Sequence, residues 1–127
     1  MLWEVEIRPA AGQVDREGKR VLAECFGLGL QSVSTVEAAR SFILQGELSD
    51  DVVTRISRTL LADGVAESFS IHQLDAAAGG SSNGSNGGQL LNVLFKDGVT
   101  DNIANSALKA MKDQDVSVEA VATCRKY

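Results

Sequence analysis

The sequence predicts an α+β protein, and three observations carry that prediction. Strand-like alternation and helix-like spacing follow one another within the first 74 residues. The composition then changes abruptly over residues 75–88. After that break the opening pattern returns. In the first segment Trp3, Val5 and Ile7 fall on one face and Glu4, Glu6 and Arg8 on the other, and Pro9 stops the strand. Asp15-Arg16-Glu17 places carboxylates where a helix N-terminus favours them. Val14, Gly18, Val21, Leu22 and Cys25 recur at helical spacing, and Gly27 and Gly29 end the run. A strand pair is expected next, Ser32 to Ala38 and Ser41 to Leu48. The second is regular, with Phe42 and Leu44 opposed to Ile43. The first is not, because Val33 and Val36 differ in parity, which suggests a bulge. Ser49-Asp50-Asp51 opens a helix whose stripe is Val53, Ile56, Leu60 and Leu61, closed by Asp63-Gly64. A last strand runs from Glu67 to Leu74 with Phe69 and Ile71 inward. The order βαββαβ predicts a ferredoxin-like sandwich for residues 1–74, two helices on one face of an antiparallel sheet.

Residues 75–88 are almost wholly Ala, Gly, Ser and Asn and read as a flexible linker reaching roughly 20 Å. No Lys-Ser or Lys-Thr follows these glycines, so they are not a phosphate loop. In residues 89–127, Leu91, Val93 and Phe95 alternate as a strand and Asp97-Gly98 makes a turn. Asp101 caps a helix bearing Ile103, Ala104, Ala107, Leu108 and Met111, and a strand is expected at Val116 to Ala122. Val14-Asp15 aligns with Thr100-Asp101 and Leu22 with Leu108. Arg40-Ser41-Phe42 aligns with Arg125-Lys126-Tyr127 after one residue of slack. The second unit is therefore an additional, incomplete βαβ half-repeat. A segment this short rarely folds alone. Its first strand also carries Leu90 and Leu94 opposite Leu91, Val93 and Phe95. Both faces ask for cover, so the half-repeat is expected to dock on the first unit or on another chain.

Apolar residues make up 44%, enough for a packed core, and the net charge of −5 argues against nucleic acid and anionic membranes as partners. Aromatics at 5% make a base-stacking platform improbable. No apolar run approaches the ~20 residues that span a bilayer. The opening residues lack a signal-peptide pattern, and Cys25 and Cys124 show no spacing motif, so the reading is cytoplasmic with reduced thiols. No catalytic, cofactor-binding or metal-ligating constellation is found. His72 sits alone on the polar parity of its strand, and Cys25 on an apolar helix face. Cys124 has Arg125 and Lys126 beside it, which would lower a thiol pKa, although a structural role is favoured. Asp50-Asp51 and Asp113/Asp115 read as helix-terminal and turn acids.

The phrase Leu94-Phe95-Lys96-Asp97-Gly98-Val99-Thr100-Asp101, then Ala107-Leu108, Val118-Glu119-Ala120-Val121 and the closing Arg125-Lys126-Tyr127 resemble the PurS family. Its phrases run close to Lys-Pro-Gly-Val-Xaa-Asp-Pro and Gly-Lys-Tyr. Ile7-Arg8-Pro9 through Asp15-Arg16-Glu17-Gly18, with Arg40-Ser41-Phe42, resemble the same family more loosely. Asp97 and Asn102 stand where the family has prolines, and Ser41 interrupts the first basic-aromatic turn. The resemblance implies a non-catalytic assembly module of formylglycinamidine ribonucleotide synthase, an ATP-dependent C–N ligase of purine biosynthesis. Its implied partners are further copies of itself through sheet or edge-strand contacts, the synthetase body and the glutaminase subunit. It implies no cofactor in this segment. Fused PurS-like repeats ahead of a synthetase are the implied arrangement. The surface candidates are Leu90, Leu94, Lys96, Arg125, Lys126 and Tyr127. The rival reading is an ACT-like domain that binds a small regulatory ligand, since Gly12 or Gly98 in a strand–helix turn suits it equally.

Overall fold

Alternation in the first segment becomes strand β1 (Leu2–Pro9), with Trp3, Val5 and Ile7 all buried. A computed structural model describes residues 1–74 and 89–127; the expected linker, 75–88, lies outside the described residues. After β1 come α1 (Arg16–Gly27), β2 (Ala39–Gln45), α2 (Asp50–Ile56) with a π-helical turn over Ser57–Leu61, and β3 (Glu67–Gln73). The second half gives β4 (Asn92–Leu94), α3 (Asn102–Asp113) and β5 (Ala120–Lys126). Among the described residues all strand pairings are antiparallel, in one five-stranded sheet of order β3-β1-β2-β5-β4. The architecture is α+β and ferredoxin-like, with the additional βαβ half-repeat built into the sheet.

Two expected strands are corrected. Residues 32–38 form no strand, so the first half runs β-α-β-α-β. The mismatched parity of Val33 and Val36 reflects an irregular return, both half-buried. The flank of β2 is occupied instead by β5, from Ala39↔Lys126 to Gln45↔Ala120. The strand expected at Val116 to Ala122 lies later, at Ala120–Lys126. Val116 and Val118 share a parity because both enter the core, but from a loop. Pairing begins only where the Glu119 amide donates to the Gln45 carbonyl (2.7 Å). Gly46 ends β2 early and lets that loop approach; a Cβ there would lie 3.1 Å from the Ser117 carbonyl oxygen.

The second half retraces the first closely. Gly12 and Gly98 occupy the same point of the strand–helix turn at φ 85° and 87°, a region where glycine is unstrained. Asp15 accepts from the Gly18 amide (2.8 Å) with one oxygen and from the Ala38 amide (2.8 Å) with the other. Asp101 does the same with Ala104 (3.0 Å) and Thr123 (2.9 Å). Each aspartate thus caps a helix and ties it to the strand that follows. At the helix ends Leu30 donates to Cys25, and Val116 to Met111. Gly29 and Asp115, one residue earlier, both have positive φ. The pairing Ile7↔Arg40 recurs as Val93↔Arg125. The single residue of slack falls between Gly29 and Ala38.

Arg40 and Arg125, which correspond, lie directly opposite each other in the β2–β5 pair. The two halves are therefore related by a local two-fold axis between these residues. Met111, Val116 and Val118 join Trp3, Val5, Phe42, Leu44, Val53 and Ile56 in one core. Deleting residues 89–127 is expected to open that core and bare the β2 edge. Sedimentation should then show aggregate, where a passive appendage would leave a well-folded monomer. Gly18→Ala should cost ~1–3 kcal/mol in denaturant unfolding. The reason is that the new methyl would meet the Val36 carbonyl oxygen at 2.4 Å and Asp15 at 2.6 Å.

Candidate interaction surface of the second half

The six surface candidates belong to β4, the loop after it and the end of β5. β4 pairs with β5 along one edge, as Asn92↔Lys126, Val93↔Arg125 and Leu94↔Cys124. The bonds Leu91 N–H to Tyr127 O (2.9 Å) and Tyr127 N–H to Leu91 O (3.0 Å) extend that ladder. Leu90 and Leu94 are nonetheless exposed, so the expected cover over them is not found among the described residues. The half-repeat docks through β5 and α3, and these two leucines take no part in it. Lys96 is exposed in the loop before α3. Together with Leu94, Asp101 and Thr123 it borders an open hollow of about 250 Å³ beside Gly98.

The three candidates at the end of β5 separate from one another. Arg125 shares a sheet face with Arg40, Phe42 and Val5, and is exposed. Lys126 faces the other way and pairs with Glu4 (2.7 Å), the two side chains being only 13% and 12% exposed. Successive residues of a strand point to opposite faces. Lys126 therefore sits two strands from Glu4 on the same face, and Ser41 lies midway on the diagonal between them. A small residue at Ser41 leaves room for the ion pair above it, and Ser41 is buried beneath. Tyr127 donates its hydroxyl to Glu17 of α1 (2.7 Å). The Arg20 guanidinium and this hydroxyl together hold the Glu17 carboxyl down at about 2. The same bond to Glu17, with burial, pushes Tyr127 upward.

The paired strand parity of Glu4, with its wet-face neighbours, concealed the Glu4–Lys126 pair from sequence reasoning. No local signal marks a contact between residues so far apart. The same holds for Glu17 and Tyr127. Asp101 was legible as a cap, but its second oxygen, which also takes the Thr123 hydroxyl (2.7 Å), was not. Burial opposes ionisation of Asp101, and the bonds from Ala104 and Thr123 overcome it and hold the pKa low. The basic neighbours of Cys124 do not activate its thiol. It is buried, and burial raises its pKa despite the nearby Lys126 ammonium. Its Sγ points to Asn92 Oδ1 (3.8 Å). His72 is exposed, 3.3 Å from the Ser70 hydroxyl. Among the described residues no group of three or more His, Cys, Asp or Glu is arranged to hold a metal ion, and no helix is long and apolar enough to cross a membrane.

Removing one member of the Glu4–Lys126 pair strands a largely buried charge. Lys126→Met should cost about 1–3 kcal/mol in urea unfolding, and adding Glu4→Gln should recover most of it. A Lys126→Met variant as stable as the parent would show that the pair contributes nothing. Glu17, with its lowered pKa, contributes stability that is present above the unfolded value near 4.5 and is lost as pH falls towards about 2. In Tyr127→Phe the Glu17 carboxyl should titrate at a higher pH by NMR, partway back to its ordinary value.

No family model matches the chain, and no curated protein matches it. Among solved structures it is similar to PurS of Methanocaldococcus jannaschii, one of the subunits of formylglycinamide ribonucleotide amidotransferase in the purine biosynthetic pathway. The identity is 20% and the TM-score 0.52, over 57% of this chain and 96% of that one. A B. subtilis PurS structure aligns at 23% identity and a TM-score of 0.49, over 56% of this chain and 94% of that one. What the chain shares with the M. jannaschii protein is its fold: it is PurS-like.

Proposed function

We propose that this chain is a structural and assembly module of the formylglycinamidine ribonucleotide synthase complex of purine biosynthesis. In this reading it organises contacts with the synthetase body and with the glutaminase and takes no part in the chemistry. The observation that carries it is the PurS-like fold, which accounts for nearly the whole length of the M. jannaschii subunit. The phrases Asp97-Gly98-Val99-Thr100-Asp101 and Arg125-Lys126-Tyr127 support it. They fall on the α3 entry and the end of β5, where one sheet edge and one loop present themselves together. Self-association through sheet edges and the absence of a cofactor belong to the same proposal.

The test is reconstitution. The chain is mixed with the glutaminase and synthetase subunits of an amidotransferase from which PurS has been omitted, and glutamine-dependent product formation is measured. Restored activity and co-elution on size exclusion are expected, with Lys96→Glu/Arg125→Glu weakening both by roughly tenfold or more. No co-elution with either subunit would sink the reading. A shift of several degrees in Tm on adding a free amino acid would favour the ACT-like alternative in its place.

A further inference from the structure

The tripeptide Asp-Gly-Val occurs twice, at residues 63–65 and 97–99. An Asp-Gly pair carries an intrinsic reactivity. The glycine nitrogen can attack the aspartate Cγ and close a cyclic imide, and a residue without a Cβ leaves that approach open. Identical following residues give the two pairs nearly the same intrinsic chemistry, so the fold decides which of them reacts. It holds them very differently. Asp63 Oδ1 accepts from the amides of Val65 (2.9 Å) and Ala66 (3.3 Å). Its own amide donates to Glu67 Oε1 (2.9 Å), and its carbonyl accepts from the Glu67 amide (3.0 Å). Glu67 is in turn held by Arg40 (2.8 Å). The amides of Val65 and Ala66 favour the charged carboxylate and draw the Asp63 pKa down. Less of the neutral acid is then present, and the neutral acid is the form that can release water. Asp97 stands in the loop between β4 and α3, where residues 95–100 are all exposed. Its carboxylate makes no hydrogen bond or ion pair among the described residues. The bond that closes this turn runs from the Val99 amide to the Lys96 carbonyl (3.1 Å), spanning Asp97 and Gly98 without engaging either.

We infer that Asp97-Gly98 is a self-modification site, at which the folded chain converts aspartate to isoaspartate while Asp63-Gly64 stays intact. The Gly98 nitrogen bonds to Asp97 Cγ. The nitrogen's proton and the carboxyl hydroxyl leave as water, and the imide joins the two residues. Water then adds to either imide carbonyl. Cleavage of the bond from Cγ to nitrogen restores aspartate. Cleavage of the original peptide bond instead leaves the chain running through Cβ and Cγ, with a free α-carboxylate. The net change is an isomerisation, one water lost and one regained, and no other reactant is needed. The altered backbone is longer by one carbon. It lies between two fixed points, the Leu94↔Cys124 pairing and the Asp101 clasp, so residues 95–100 absorb the extra length.

The test uses the second Asp-Gly pair as its internal control. The folded chain is incubated at neutral pH and digested at intervals, and isoaspartate is located residue by residue by electron-transfer fragmentation. Isoaspartate at position 97 is expected to accumulate at least ~10-fold faster than at position 63. In denaturing urea the two rates should converge to within about twofold, because only the fold separates them. In Asp97→Glu, whose ring would have to be larger, the signal at position 97 should vanish. Equal rates in the folded chain overturn the inference, and so does a folded chain in which position 97 reacts only once urea is added. A difference that persists in urea overturns it as well, since the local sequence and not the fold would then be its cause.

Discussion

The pairing of β2 with β5 is the constraint on which the rest of the structure depends. A half-repeat of this size buries too little surface to fold by itself. Its order is borrowed through seven consecutive residue pairs along this seam. The first half borrows in return. Without β5 one edge of β2 would be bare, and without Met111, Val116 and Val118 the core under Trp3 and Leu44 would be incomplete. The seam carries a cost at its centre, because like charges directly opposite in a sheet repel. Arg40 and Arg125 are such a pair. The Arg40 guanidinium is held by Glu67 and the Leu61 carbonyl and sits 5.8 Å from the centre of the Phe42 ring. Its charge is thereby drawn towards β3, away from the axis.

Much of this was legible in the sequence, for reasons that differ between elements. β1 and the core half of β2 were readable because alternation has only one period, so Trp3, Val5, Ile7, Phe42 and Leu44 could face only one way. Asp15 and Asp101 were readable as helix starts because capping is local. The duplication was readable down to its slack residue, since Gly12 with Gly98 and Arg40 with Arg125 keep the same roles. The misplaced strands failed on non-local grounds. Alternation reports burial parity, and a loop that threads two valines into a core has the same parity as a strand. Val116 and Val118 are such a loop, and only the edge of β2 decides where pairing starts. No property of residues 32–38 announces that a distant segment has taken the place beside β2.

The candidate surface was half legible for a related reason. Arg125-Lys126-Tyr127 reads as a single basic-aromatic cluster, but strand geometry sends its members to different duties. Tyr127 reaches α1, Lys126 crosses the open face to Glu4, and Arg125 stays exposed beside Tyr127 on the helix side of the sheet. The correspondence with Arg40-Ser41-Phe42 explains the substitution that first looked like an interruption. If a long side chain replaced Ser41, it would obstruct the path from Lys126 to Glu4. One half therefore carries the lysine and the other the space for it.

The two aspartate clasps show why the two halves share a shape although their sequences differ. A serine or threonine caps a helix with a single oxygen. Here the same residue must also hold the chain that returns from the helix, and only a carboxylate has an oxygen for each task. The geometry is conserved across the two halves even where neighbours change. Gly18 lets the Val36 carbonyl come within a distance that excludes a methyl group, whereas Ala104 at the corresponding place is buried with its methyl accommodated. Thr123 adds a hydroxyl to the second clasp that Ala38 cannot offer. One carboxylate in each half thus fastens the helix to the chain that returns from it. The returning strands are β2 and β5, the two that pair with Arg125 opposite Arg40 and make the two halves one sheet.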